Sequence, residues 1–258
     1  MEKTYQFTSI KPKQFNITCD KNALEYLLKW SMKGQIRLAT FSFSKPFEPH
    51  KKKEFILDFF TSPEVIGVIN KIIPNWSYEK DQVEDVEVEA IPCNQTSMTF
   101  FDRVLDPENH IIRHGGGLHH CVDDVIDDFM ISDELRRMVL DENSDNYGLY
   151  NEEERKELLF RIFQHFVLGG KWCQFEDKVE PYLDMTKMLY KDLVRVERNA
   201  DTKEIQIRSC CVKAVVKGKQ KRAIFPQDAD HIQNFAYLLM DPVLRHVTLF
   251  THEFGGQF

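Results

Sequence analysis

No stretch of this chain stays apolar for the roughly 18 residues that a bilayer-crossing helix needs. The opening residues, MEKTYQFTSIKPKQF, hold no apolar run of the secretory kind, so a signal peptide is not expected. The six cysteines (Cys19, Cys93, Cys121, Cys173, Cys210, Cys211) include no CxxC pair. That argues against a zinc ribbon or a disulfide scaffold and for reduced thiols in the cytosol. Positive charge is in short supply. The formal net charge is −7 and the isoelectric point about 5.8, a field that repels nucleic acid and anionic membrane. The strings GxxxxGK[ST] and GxGxxG are missing, which removes the usual support for a bound nucleotide. The D-x-D-x-D-G spacing of a calcium loop and the G-x-S-x-G turn of a serine hydrolase are missing too.

What remains is ordinary material for a folded protein. Of 258 residues, 42% are hydrophobic and 29% charged, and 20 phenylalanines supply bulk for a packed core. Asp20 is placed to cap a helix carrying Ala23, Leu24, Leu27 and Leu28 on one stripe, with Gly34 beyond its end. Ile36 to Phe43 is β-branched and aromatic, so it reads as a strand. A helix follows through Phe55, Ile56, Phe59 and Phe60. Pro63 then suits the first turn of another helix, ending before Pro74, and residues 75–82 read as a loop. Residues 85–91 alternate strictly between valine or alanine and carboxylates, the pattern of a half-buried strand with an acidic outer face.

The best-punctuated part is 131–196, which reads as three helices with little reactive chemistry. Ser132 suits the cap of the first, with Asp133 and Glu134 at its positive end. Asn151 and Glu154 form a capping box for the second, which Gly169-Gly170 stops. Pro181 opens the third, whose stripe is Tyr182, Met185, Leu189 and Leu193. Beyond Val194 the period becomes that of strands: one hairpin turns at NADTK (199–203), and another near Asp241-Pro242. No repeat or linker-like tract divides the chain. The expectation is therefore an α+β fold: a single mixed domain over 1–258, with helices packed on an antiparallel-rich sheet. It is helix-rich over 20–196 with interspersed strands, and β-rich over 194–254, ending in hairpins.

Candidates for chemistry are few. His114-Gly115-Gly116-Gly117 matches an oxyanion-loop string, but without a nucleophile such a loop has no task, and a glycine turn is the better reading. His114, His119, His120 and Asp123 are the metal candidates, in a segment (114–128) that also holds Cys121 and Asp124. Against them, neighbouring residues point apart on a strand, and the spacing is H-x-x-D rather than the H-x-D of an iron triad. His231, His246 or His252 could supply a distant ligand, with nothing to select among them. Asp123-Asp124 and Asp127-Asp128 suggest a short amphipathic turn with an acidic exterior. His165 lies at the edge of an apolar stripe and reads as a packed histidine. Arg136 and Arg137 face outward or at the rim on the helical spacing, as candidates for a partner contact. Lys217, Lys219, Lys221 and Arg222 read as a hairpin tip, open to an acidic partner surface.

The strings ISDELRR (131–137), LGG-x-x-CQ-x-ED (168–177) and PYL-x-x-TK-x-x-YKDLV (181–194) resemble the cilia- and flagella-associated protein 300 family. LLKWSMKGQI (27–36), KPFEPH (45–50), PCNQTSMTFFDR (92–103) and MDPVLRH (240–246) extend the resemblance in order along nearly the whole chain, with 106–128 fitting least. The resemblance implies a non-enzymatic factor needed for assembly and transport of outer and inner axonemal dynein arms. It would act through protein–protein interaction in the cytoplasm and the cilium or flagellum axoneme. Its partners would be other dynein assembly factors or axonemal dynein components, with no nucleic acid, membrane or cofactor. No site residues come with the resemblance. The alternative is an iron- or zinc-dependent enzyme using the His/Asp-rich 114–128 segment, and a small-molecule-binding module is a third possibility.

Overall fold

A computed structural model describes residues 4–10, 14–73 and 77–255. Pro74 and Asn75, which bound an expected helix and loop, lie outside them, as do parts of the opening segment. Along the chain run β1 (Phe7–Ser9), α1 (Asn16–Cys19), α2 (Lys21–Lys29), β2 (Arg37–Phe43), α3 (Lys52–Phe60), α4 (Pro63–Ile72) and β3 (Asp85–Ile91). Then come β4 (His120–Ile126), β5 (Phe129–Asp133), α5 (Glu134–Leu140), α6 (Glu152–Lys156), α7 (Leu158–Leu168) and α8 (Glu180–Leu193). Last are β6 (Val196–Arg198), β7 (Ile205–Ile207), β8 (Cys210–Lys217), β9 (Ala223–Phe225), β10 (Phe235–Asp241) and β11 (His246–His252). The fold class is α+β, as expected, without a closed barrel. The elements gather into two compact units, each assembled from segments distant in sequence. One draws on Met1–Gln14, Gly34–Ile91 and Leu193–Phe254, the other on Phe15–Lys33, Pro92–Asp192 and Gly255–Phe258.

The first unit is a seven-stranded antiparallel sheet in the order β1-β2-β11-β10-β8-β3. β9 joins β8 at Val216 and Lys217, past the stretch that β10 occupies. Side chains alternate across a strand, so Phe41 and Phe43, Val212 and Ala214, Ala236 and Leu238 share one face. That face meets α3 and α4, whose Phe55, Phe59, Phe60, Val65 and Ile69 are fully buried. Ring edges meet ring faces here: Phe59 lies 5.1 Å from Phe7 and 5.2 Å from Phe41, and Phe55 lies 5.1 Å from Phe43. Burying each such ring contributes roughly 1.5–3 kcal/mol, alongside the buried aliphatic residues of the same core. Asp241 makes the turn between β10 and β11 by accepting from the amides of Val243 and Leu244. β3 shows its acidic face outward as expected, although Ala90 is exposed while Ile91 is buried. The segment after Val194 forms no single long hairpin. Among the described residues β6 pairs only with β7, in a small sheet of its own, and β8 leaves for the main one.

The second unit is built around α7, on which only Arg161 and Gln164 escape full burial. A helix apolar on all sides belongs in a core. Leu135, Met138 and Val139 of α5 are buried beside it, and the unit also buries Ala23 and Leu27 of α2 and Tyr182, Met185 and Leu189 of α8. Asp20 caps α2 by accepting from Ala23, as expected, but Leu28 is 64% exposed and leaves the buried stripe. The expected second helix of the 131–196 block is in fact two. Asn151 and Glu154 form the capping box of α6, and the backbone breaks at Glu157 (φ −56°, ψ 135°) before α7 starts. The reason is a distant bond: both Glu157 carboxylate oxygens accept from Asn94, one from its amide and one from its side chain. Ser132 does not cap α5. Residues 129–133 are a strand, and Asp133 is the cap, accepting from the Arg136 amide at 2.9 Å. Nor do Asp123-Asp124 and Asp127-Asp128 bound a short amphipathic turn: β4 and β5 form an antiparallel ribbon with a register shift between His120 and Asp124.

Candidate functional site

The three strings of 131–196 meet, together with LLKWSMKG, at one buried junction in the second unit. α7 stops where Gly169 takes φ +63°, and the Gly169 amide closes onto the His165 carbonyl at 3.0 Å. The Gly170 amide then donates to the Trp30 carbonyl at 2.8 Å, and the Gln174 amide to the Lys29 carbonyl at 2.9 Å. Any Cβ on Gly170 would lie 2.2 Å from the Ser31 carbonyl oxygen, so only glycine permits this approach. The turn over 169–174 is thereby locked to the end of α2.

Trp30 fills the space beneath. Its ring stacks on Tyr182 at 4.8 Å and on Tyr26 at 5.3 Å. Its Nε1 donates to Glu176 Oε1 at 3.0 Å, while Lys29 pairs with Glu176 Oε2 at 2.8 Å. The Tyr182 hydroxyl accepts from the Glu176 amide at 2.9 Å and from Arg136 Nη2 at 2.8 Å. Arg136 is fully buried, ion-paired with Asp133 and laid over the Phe175 ring 3.3 Å from its centroid. This corrects the outward placement expected for Arg136, which therefore cannot be a partner contact in the folded protein. Helical spacing alone placed it at the rim; the aromatic residues that cover it come from 175 and 182.

The chemistry of the junction is that of a clasp. Burial pushes the Cys173 thiol up to about 12 and the Tyr182 hydroxyl up to about 12, so both keep their protons near neutrality. Burial also lowers Arg136 from its usual range. A protonated, half-buried thiol is a poor nucleophile. Two further fastenings lie in the same unit. Asp192 accepts from the Ile17 amide at 3.1 Å and the Asn16 side chain at 2.7 Å, tying α1 to the end of α8. Arg155 spans the end of α5, donating to the Met138 carbonyl at 2.8 Å and to the Val139 carbonyl at 3.2 Å, which Gln164 also reaches.

The metal candidates do not come together. His119 and His120 line a polar cavity of about 670 Å³ with His110, Glu134, Arg137 and Asp141, whereas His114 and Asp123 are not part of its wall. Among the described residues no group of three or more His, Cys, Asp or Glu side chains is arranged to hold a metal. The glycine string is a turn: the Gly116 amide donates to the Arg113 carbonyl at 2.8 Å, with Gly116 at φ +79°. His165 is buried, as its packed reading required. Arg137 sits at the cavity rim, 3.5 Å from both Glu134 and Asp141. Lys217 pairs with Glu87 at 3.1 Å. Lys219, Lys221 and Arg222 stand exposed on the turn between β8 and β9, where Asp81, Asp228 and Asp230 share the cleft with Lys219 and Arg222. Reading the sequence missed Phe175 and Tyr182 as partners of Arg136, and Trp30 and Glu176 as partners of Tyr182. The doubled glycine followed by Cys173 was the available clue, but it was read only as a helix stop. The six cysteines are all free thiols.

Comparison with known proteins agrees with the strings. A relative from Paramecium tetraurelia described as "Cilia- and flagella-associated protein 300" is 31% identical over 251 residues, covering 97% of this chain and 94% of its own. One of the same description from Chlamydomonas reinhardtii is 32% identical over 232 residues, covering 88% and 90%. No solved structure matches. The family model described as "Cilia- and flagella-associated protein 300" matches residues 4–252, and the chain belongs to that family.

Proposed function

We propose that this chain is a non-enzymatic factor of the cytoplasm and cilium that serves the assembly and transport of outer and inner axonemal dynein arms. It works by binding other proteins, namely dynein assembly factors or dynein components. The observation that carries this reading is the family match across residues 4–252. The residues of the resembling strings add physical support. Asp133, Arg136, Glu176 and Tyr182 are spent on holding one another and Gly170 on the Trp30 carbonyl, which shapes a surface rather than poising an acid, a base or a nucleophile. Removing the protein from a ciliated cell and sectioning the axonemes for electron microscopy tests the reading. Outer and inner arms should be depleted and beating impaired, with both restored by the reintroduced chain. Normal arms in cells lacking the protein would sink it.

A further inference from the structure

The β4–β5 ribbon exposes apolar side chains that its own unit does not cover. Val122 is 85% exposed, Val125 66% and Met130 55%. Val125 lies directly across from Met130 in the register, and such a cross-strand pair shares one face. Phe129 and Ile131, on either side of Met130, are buried. One face thus anchors the ribbon through Phe129 and Ile131, and the opposite face has a bare Val–Met pair at its centre. Among the described residues β4 pairs with β5 alone, so no strand covers its outer edge, where the Val125 amide donates to the Asp124 side chain at 2.8 Å. Two strands by themselves are marginal in water, and a third laid along that edge would complete a sheet.

The surrounding charge selects the occupant. Asp123, Asp124, Asp127 and Asp128 are all exposed around the apolar pair, and no lysine or arginine occurs between Arg113 and Arg136. A second copy would set these aspartates against their own kind, and an anionic lipid or nucleic acid would meet the same repulsion. A basic segment with aliphatic side chains meets both demands. We propose that the ribbon is a docking arm for an extended protein segment carrying lysine or arginine beside aliphatic residues. This rests on the reading of the chain as one that acts through protein surfaces, whatever complex it serves.

The probe is a labelled synthetic peptide of alternating lysine and valine, titrated onto the full chain by fluorescence anisotropy. Lysine–serine and glutamate–valine peptides serve as controls. Saturable binding is expected for the lysine–valine peptide alone, weakening as salt rises. Asp123→Lys/Asp124→Lys and Val125→Ser/Met130→Ser should each weaken it by at least about tenfold, without a change in Tm. Should either variant melt early, Val122→Ser replaces it, since that side chain is almost wholly in water. Equal binding of a control peptide, unchanged affinity in the variants, or self-association through the same residues overturns the proposal. Failure here with dynein arms still lost from cells lacking the protein overturns the docking arm alone and leaves the function standing.

Discussion

The Arg136 guanidinium carbon lies over the Phe175 ring, 3.3 Å from its centroid, with no part of the arginine exposed to water. Removing one member of a buried charged pair strands the other, which is why the cost exceeds what the pair contributes when intact. Arg136→Ala is expected to lower the stability of its unit by about 3–5 kcal/mol in urea unfolding. Arg136→Lys should recover only part, because an ammonium cannot both stack on Phe175 and reach Tyr182. Asp133→Ala/Arg136→Met should cost less than the two single losses together, since neither charge is left alone. A loss under about 1 kcal/mol for Arg136→Ala would mean that the side chain is solvated.

Two glycines separate close approach from simple chain freedom. At Gly170 an added Cβ meets the Ser31 carbonyl at 2.2 Å, so Gly170→Ala must pull the 169–174 turn away from α2. At Gly67, exposed in the middle of α4, an added Cβ meets nothing within 4 Å. Gly67→Ala is expected to raise stability by about 0.5–1 kcal/mol and Gly170→Ala to lower it by more than that. Thermal melting of both variants checks the opposite signs.

Acid should loosen the sheet unit through His252. Its ring is fully buried, Nδ1 lies 2.7 Å from the Gln233 carbonyl oxygen, and burial first, then the charges of Arg37 and His231, lower its pKa from 6.5 to about 4. The unfolded chain takes up the proton near pH 6.5 and the folded one only near 4. The contribution of a neutral, buried His252 is therefore whole above about pH 6.5 and lost progressively as pH falls to about 4. The span corresponds to up to about 3 kcal/mol. His252→Gln should flatten the stability–pH curve in that window. An unchanged slope in the variant would assign the acid sensitivity elsewhere.

Asp192 provides a local test. Its carboxylate holds the Ile17 amide and the Asn16 side chain, so Asp192→Ala frees the first turn of α1. Hydrogen exchange at the Ile17 amide should accelerate by about tenfold or more, while amides in α7 keep their protection. Equal acceleration in α7 would show that the bond supports the whole unit rather than one turn.

Where a signal was local, the sequence was a good guide. Asp20 and the Asn151–Glu154 box start their helices, Pro63 and Pro181 sit in first turns, and the alternation of 85–91 and the turn at Asp241 mark real strands. Where a distant residue decides, the guide failed. Glu157 breaks a helix for Asn94, and Arg136 turns inward because Phe175 and Tyr182 are there to receive it. The ribbon of β4 and β5 was hidden for a third reason: aspartates are poor strand formers, and a register shift interrupts the alternation by which strands are recognised. The metal candidates are dispersed because His119 and His120 line one cavity while His114 and Asp123 lie outside its wall.

The sheet of the first unit has one more implication, for the order in which the protein can be made. Its middle strands, β10 and β11, are the last to be translated, and β2 has no neighbour on that side until β11 arrives. Chains emerge from the ribosome amino end first. β1 can pair with β2 early, but the other edge of β2 must wait, unpaired beside the phenylalanines of α3, until residue 252 has been delivered. A message cut short before β10 does not encode a weaker version of this unit. It encodes a nascent chain whose missing central strands leave its edges to chaperones or to aggregation.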